Sequence, residues 1–260
     1  MSDDLGEVWC KALHRHFVNR YAVWPLGEDI KLGDFGVMVD EGPWPWSNGT
    51  LFSRSSNLTD HFGIKFNERK GKPNEFMEFT SAEGVSAKFT AKGAMKPNGA
   101  TAIKASLDIS FSSKNVVYFA SAGCQMNSID DQVALGEEIR KLMKAGRWDH
   151  HWVVVTEITN AEKTTALISL SSDASMSLEA SGNVDVIKLA DASLTLNYTS
   201  YSNTALNVVA SPGFQPLIGL SKMLSLASDT PMGPYFVGSA KVQKDAMHDS
   251  LHKDIYFGRI

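Results

Sequence analysis

Three pairs of histidines have spacings that suit metal ligation. His14 and His16 lie two apart, His150 and His151 are adjacent, and His248 and His252 have the i, i+4 spacing that places two imidazoles on one helix face. A zinc site asks for a third or fourth donor at a defined spacing, and the last pair specifies none nearby. These histidines are therefore read as surface or structural residues, with no metal and no cofactor expected. Catalytic signatures are absent too. The chain has no Gly-x-Ser-x-Gly, no His-Glu-x-x-His, no Gly-Lys-Ser/Thr phosphate loop and no Gly-x-Gly-x-x-Gly. Without a convergent acid, base and nucleophile, the expectation is a protein that is not an enzyme.

The informative pattern is alternation. Val85, Ala87, Phe89 and Ala91 alternate with Ser86, Lys88, Thr90 and Lys92; after a loop around Pro97-Asn98-Gly99, Ile103, Ala105, Leu107, Ile109 and Phe111 alternate with Lys104, Ser106, Asp108 and Ser110. This predicts a β-hairpin within 85–119, one face oily and one wet. From Thr165 to Ser181 the even positions include Ile168, Leu170, Met176 and Leu178, and Gly182-Asn183 reads as a tight turn. Alternation resumes through Leu194, Leu196 and Tyr198, which predicts a second hairpin over 165–199 with arms of roughly 16 residues.

Two readings fit such hairpins. In the first, the oily face covers an ordinary core and the strands are permanent parts of a soluble sheet, a ligand-binding or protein-interaction module. In the second, the oily face meets lipid: a strand crossing a bilayer needs about 9 to 11 tilted residues, apolar toward lipid and polar toward a lumen. The second draws on arms longer than the ~3–10 residues usual in globular strands. It also draws on a wet face rich in small hydroxyl residues. Lys88, Lys92, Lys104, Asp108, Asp173 and Glu179 all fall on the polar phase. A lone hairpin would leave edge N–H and C=O groups unpaired in lipid, so insertion demands closure of many hairpins into a ring.

The elements around the hairpins follow from other periodicities. Residues 5 to 21 place Leu5, Val8, Trp9, Leu13 and Phe17 on one stripe with Lys11, Arg15 and Arg20 beside it, an amphipathic helix suited to packing on a sheet or to an anionic lipid surface. From Trp24 to Phe66, dense Gly and Pro predict short strands and turns, with Trp44 and Trp46 in a packed loop or at a membrane interface. A helix is predicted from Ser128 as N-cap to Gly146, with Ile129, Val133, Ile139, Leu142 and Met143 inward. Trp152 to Ile158 reads as a buried strand, and Phe214 to Leu226 as a helix. The fold class expected is α+β, with a twisted, mainly antiparallel sheet and flanking helices.

Composition bounds the alternatives. With 43% hydrophobic residues in 260 positions, disorder is excluded as the general state. A net charge of −4 lacks the basic surplus of a nucleic-acid binder, so no nucleic-acid partner is expected. Cys10 and Cys124 are the only cysteines, and Asp3, Asp4 and Glu7 stand where a secretory signal would be basic, so reducing cytoplasm is the expected location. Asn48, Asn57 and Asn197 match glycosylation acceptors that have no meaning there. No apolar run approaches the ~18–20 residues of a spanning helix, which leaves spanning by strands open.

The order of these elements resembles a gasdermin pore-forming domain: a basic amphipathic first helix, a Gly-rich sheet region, an alternating hairpin, an intervening helix, the Trp152-Val-Val-Val155 strand and a second alternating hairpin. The resemblance covers most of the chain and rests on layout and patterning. It implies a cell-death effector that is cytoplasmic when inactive and acts at the inner leaflet of the plasma membrane. It would bind acidic phospholipid through Lys11, Arg15, Arg20, Lys88 and Lys92, self-oligomerise, and insert both hairpins. Residues 1–236 would form the pore-forming domain and 237–260 a regulatory tail. Fungal gasdermin-like regulators, which lack a repressor domain and kill when incompatible allelic variants meet, fit this length. Bacterial gasdermins are similarly short but carry a lipid-modified cysteine almost at the N-terminus, whereas the first cysteine here is Cys10.

Overall fold

Val153, Val154, Val155 and Thr156 are all buried, and a strand covered on both faces needs that unbroken run. They begin β9 (Val153–Ser169), the central strand of the computed structural model, which describes residues 5–17, 19–39, 50–73, 75–80, 85–95, 101–181, 195–225 and 255–259. Along one side β9 pairs with β12 (Thr204–Ser225); along the other it pairs with β8 (Val117–Ile129) and, at its start, with β2 (Asp34–Val39). β1 (Tyr21–Ala22) and β13 (Ile255–Arg259) pair with β12, and β3 (Leu51–Asn57) pairs with β2. β4 (Glu68–Lys70) and β5 (Glu75–Thr80) pair with β8 and complete a nine-stranded sheet among the described residues. Every pairing is antiparallel. Among the described residues three helices accompany it: α1 (Leu5–His16), α2 (Leu58–Phe62) and α3 (Gln132–Lys144). The α+β class with a mainly antiparallel sheet is the fold observed.

α1 packs through Trp9, Cys10 and Leu13, all fully buried, against Val117, Phe119, Ala166 and Ile168 of β8 and β9. The Trp9 and Phe119 rings meet edge to face at 5.8 Å. The helix is shorter than the apolar stripe predicts. It closes after His16, and Arg20 lies beyond it in the link to β1, its amide bonded to Phe17 O at 2.9 Å.

Three expectations are corrected. Phe214–Leu226 is not a helix, because its described part lies in β12, where Leu217, Ile218, Leu220, Ser221 and Met223 are buried among three core clusters. Burial on both faces erases the period of two, and an apolar run of that kind reads equally as a buried helix. The helix predicted from Ser128 starts three residues later, because Ser128 and Ile129 remain in β8. Asp131 caps α3 by accepting from Ala134 N at 2.8 Å, and Val133 is 61% exposed. Third, Thr165–Ser181 is not one arm. β9 ends at Ser169, residues 170–174 turn, and β10 (Ser175–Ser181) starts a different sheet. Ile168 is therefore a fully buried residue of the nine-stranded sheet, opposite Val117 and Leu206, and Leu170 is a turn residue with 44% exposure. Neither belongs to a hairpin strand. The cause is that the alternating phase runs uninterrupted through a bend that only a polar Ser171-Ser172-Asp173 marks.

Candidate functional site

The hairpin strands form a sheet of their own, ordered β11–β10–β7–β6, where β6 is Val85–Met95, β7 is Thr101–Phe111 and β11 is Thr195–Ser202. β6 and β7 pair without irregularity from Val85 opposite Phe111 to Met95 opposite Thr101, and Pro97-Asn98-Gly99 lies outside the described residues. This hairpin closes at Phe111; Val117–Phe119 belong to β8. In the second hairpin Ser181 stands opposite Thr195 and Ala180 opposite Leu196. A two-residue turn at Gly182-Asn183 would instead pair Ser181 with Val184, so that turn is corrected. Leu194 lies outside the described residues, and so do Trp44, Trp46, His248 and His252.

Register then sorts chemistry by face. β10 joins β7 with Met176 opposite Ile109, Leu178 opposite Leu107 and Ala180 opposite Ala105; β6 adds Ala87, Phe89 and Ala91 at the matching positions, with Gly93 opposite Ile103, and β11 adds Tyr198 and Leu196. Among residues whose side chains are described, Ile109, Phe111, Met176 and Leu178 are buried, while Ser86, Lys88, Asp108, Ser110, Ser175 and Glu179 on the alternate phase are exposed. Lys88 stands opposite Asp108, which also accepts from Ser177 Oγ. The four strands make one amphipathic sheet, with β6 and β11 as its edges among the described residues.

Among the residues whose side chains are described, the apolar face is covered. Ile109, Phe111, Met176 and Leu178, with Ala174 and half-buried Val85, pack on Val116, Tyr118, Ala120, Ala122 and Leu167. Each of these larger side chains gains about 1.5–3 kcal/mol by leaving water, so peeling four of them away costs on the order of 10 kcal/mol. The root of the sheet is pinned as well. Ser169 Oγ donates to Ser113 O at 2.7 Å and accepts from Val116 N at 2.9 Å, and Phe111 N donates to Ala174 O at 2.9 Å. In the turn before β10, Asp173 accepts from the Ser171 hydroxyl and from Asn203 Nδ2 at 3.2 Å. The Ser171 bond first, then its own backbone N–H and the Asn203 bond, hold the Asp173 carboxyl below the usual carboxylate range.

The basic residues do not converge. Tyr118, Ala120 and Leu167 face the hairpin sheet, whereas their neighbours Val117, Phe119, Ala166 and Ile168 face α1. Strand alternation therefore puts Lys11, Arg15 and Arg20 on the opposite side of the β8–β9 layer from Lys88. Lys11 pairs with Glu7 one turn earlier, Arg15 is exposed, and Arg20 Nη2 lies 3.3 Å from Met126 Sδ. Lys92 stands opposite Lys104 in the β6–β7 register. Sequence reasoning passed over a second basic segment, which reaches Met126 from the other strand partner. Gly71 N donates to Met126 O at 2.8 Å, and this contact brings the exposed segment with Lys65, Arg69, Lys70 and Lys72 to the same edge of the sheet. The signal was four basic residues against one acid within 65–72.

Asn57, one of the apparent glycosylation acceptors, is structural. It caps α2 through Thr59 N at 2.9 Å, and its Nδ2 donates to Leu32 O and to Asp34 Oδ1 at 2.9 Å. Among the described residues no helix is long and apolar enough to cross a membrane.

No family model matches the sequence, and no curated protein matches it. Among solved structures the chain is similar to the cryo-EM structure of the Gasdermin A3 membrane pore, at 12% identity, 91% coverage of this chain, 97% coverage of that chain and a TM-score of 0.35.

Proposed function

We propose that this chain is a non-enzymatic pore-forming protein that perforates acidic membranes, with the β6–β7 and β10–β11 hairpins as the inserting elements. The observation that carries the reading is the register of the four-stranded sheet: two hairpins fused edge to edge, one phase apolar across all four strands and the other hydroxyl-rich and charged. The 11 residues of β6 and of β7 match the ~9–11 that a tilted strand needs to cross hydrocarbon. Repeating the sheet around a ring would pair each β6 with a neighbour's β11, removing the edges that forbid a single copy from entering lipid. Arg20 with Arg69, Lys70 and Lys72 supplies a cationic edge for acidic headgroups, alongside Lys11 and Arg15; Lys88 and Lys92 would reach lipid only after the sheet leaves the body. Residues 1–236 act as the pore-forming unit and the tail beyond them as a regulatory segment. Release would follow either contact with a diverged variant of the same protein or cleavage near Pro234. The protein would wait in the cytoplasm and kill at the plasma membrane.

A second reading draws on the burial of Ile109, Met176 and Leu178, which a permanent interaction module would also show. Dye-loaded vesicles separate the two. Leakage from phosphatidylserine vesicles, absent from neutral ones, is expected when the protein is added with a diverged homologue or after limited proteolysis near Pro234. Intact vesicles under every one of these conditions would leave the module reading in place of the pore.

A further inference from the structure

We propose that Asp149, His150 and His151, in the turn between α3 and β9, form a surface site for a divalent transition-metal ion of the zinc class. The three residues offer one donor each, all within 4.8 Å of one another. Asp149 Oδ1 lies 3.0 Å from His151 Nδ1 and 3.6 Å from His150 Nδ1. A four-coordinate ion with bonds of about 2.0–2.1 Å holds its ligand atoms about 3.4 Å apart, which these two separations bracket. Small rotations of two exposed rings would bring both nitrogens and the carboxylate onto one ion.

The turn is held before any ion arrives. His151 N donates to Asp149 Oδ1 at 2.8 Å and Trp152 N to Asp149 O at 3.1 Å. On either side Trp148 and Trp152 are anchored in the core around Phe35, their rings 5.1 Å apart and perpendicular. The donors therefore project from a braced base, and little chain entropy is lost on ligation. Two imidazoles and one carboxylate favour zinc, copper or nickel over magnesium or calcium, which prefer oxygen. With side chains half or more exposed, the set leaves a coordination position to water or to a donor from another molecule. As ligands, both imidazoles must be neutral, and the His151–Asp149 contact changes from a hydrogen bond to a shared metal.

Calorimetric titration of the full chain with zinc chloride tests the assignment. One equivalent should bind, excess magnesium should not compete, and cobalt(II) should give the visible absorption of tetrahedral coordination. Even outer-shell changes weaken metal sites by about 10–100-fold, so His150→Ala and His151→Ala should each weaken binding at least about tenfold. Both side chains are exposed, and circular dichroism will show the variants folded. A His248→Ala/His252→Ala double variant should bind zinc as the parent does. Equal affinity in the parent and both turn variants would overturn the site. So would no heat above dilution, or a loss of binding confined to the double variant.

Discussion

Met176 stands opposite Ile109 across the β10–β7 pairing, and each is 1% exposed. That contact joins the second hairpin to the first within a single subunit, and the same two side chains press the joined sheet onto Tyr118 and Leu167. The two hairpins are therefore held as one sheet, and the packing of this layer on Val116, Tyr118, Ala120, Ala122 and Leu167 fixes it to the body.

Truncating that contact layer should loosen the sheet selectively. Leu178→Ala should cost about 2–5 kcal/mol of stability and, under triggering conditions, speed vesicle leakage. Ile139→Ala, fully buried in the separate cluster around α3, should cost a similar amount without speeding leakage. Chemical unfolding and stopped-flow dye release would measure the two effects. Equal leakage rates in these variants would show that the sheet is not held back by this packing.

Charge reversal distinguishes the two basic regions. Each cation close to an anionic surface contributes about 1 kcal/mol, so Arg69→Glu with Lys70→Glu should weaken sedimentation with phosphatidylserine vesicles more than tenfold, and the deficit should shrink at high salt. Lys88→Glu lies across the β8–β9 layer and should leave initial binding unchanged. A larger loss from Lys88→Glu would put first contact with lipid on the hairpin side.

Gly136 and Phe257 are in tight contact: a Cβ on Gly136 would lie 2.6 Å from Phe257 Cβ. Gly136→Ala gains about 1 kcal/mol in helix propensity but must push β13 off α3. The expected net result is destabilisation, with faster proteolytic release of the C-terminal strand. Because the close atom is the Cβ itself, adding Phe257→Gly should remove the clash, a coupling that a double-mutant cycle reads directly.

Alkaline pH should act through Tyr21. Burial raises its phenol above the ordinary value of 10.0. The folded state thus keeps the proton after the unfolded chain loses it, so this contribution is intact below pH 10 and declines as pH rises from there through the folded value. Unfolding curves between about pH 9 and 11 should show this slope. Tyr21→Phe should flatten it; an unchanged slope would assign the loss to other groups.

Much of the hairpin sheet was legible because its strands are wet on one face: alternation holds over Val85–Lys92 and Ile103–Phe111, and the two strands pair directly across from each other. The same logic found Val153–Val155, since a run of β-branched residues between polar ends has few other uses. It failed at Leu217–Met223, where both faces are covered and no period survives. It also failed at Ser169–Ala174, where the phase of alternation carries across a bend.

What residue order determined alone is which side of each strand is oily, because side chains alternate along any extended backbone whatever surrounds it. Only the tertiary structure decided that β10 lies beside β7, that Thr195 and not Val184 meets Ser181, and that Arg20 shares an edge with Lys70 while Lys88 lies across the layer. Those are relations between segments far apart in the chain. They are set by which faces pack and which edges pair, and no local spacing encodes them.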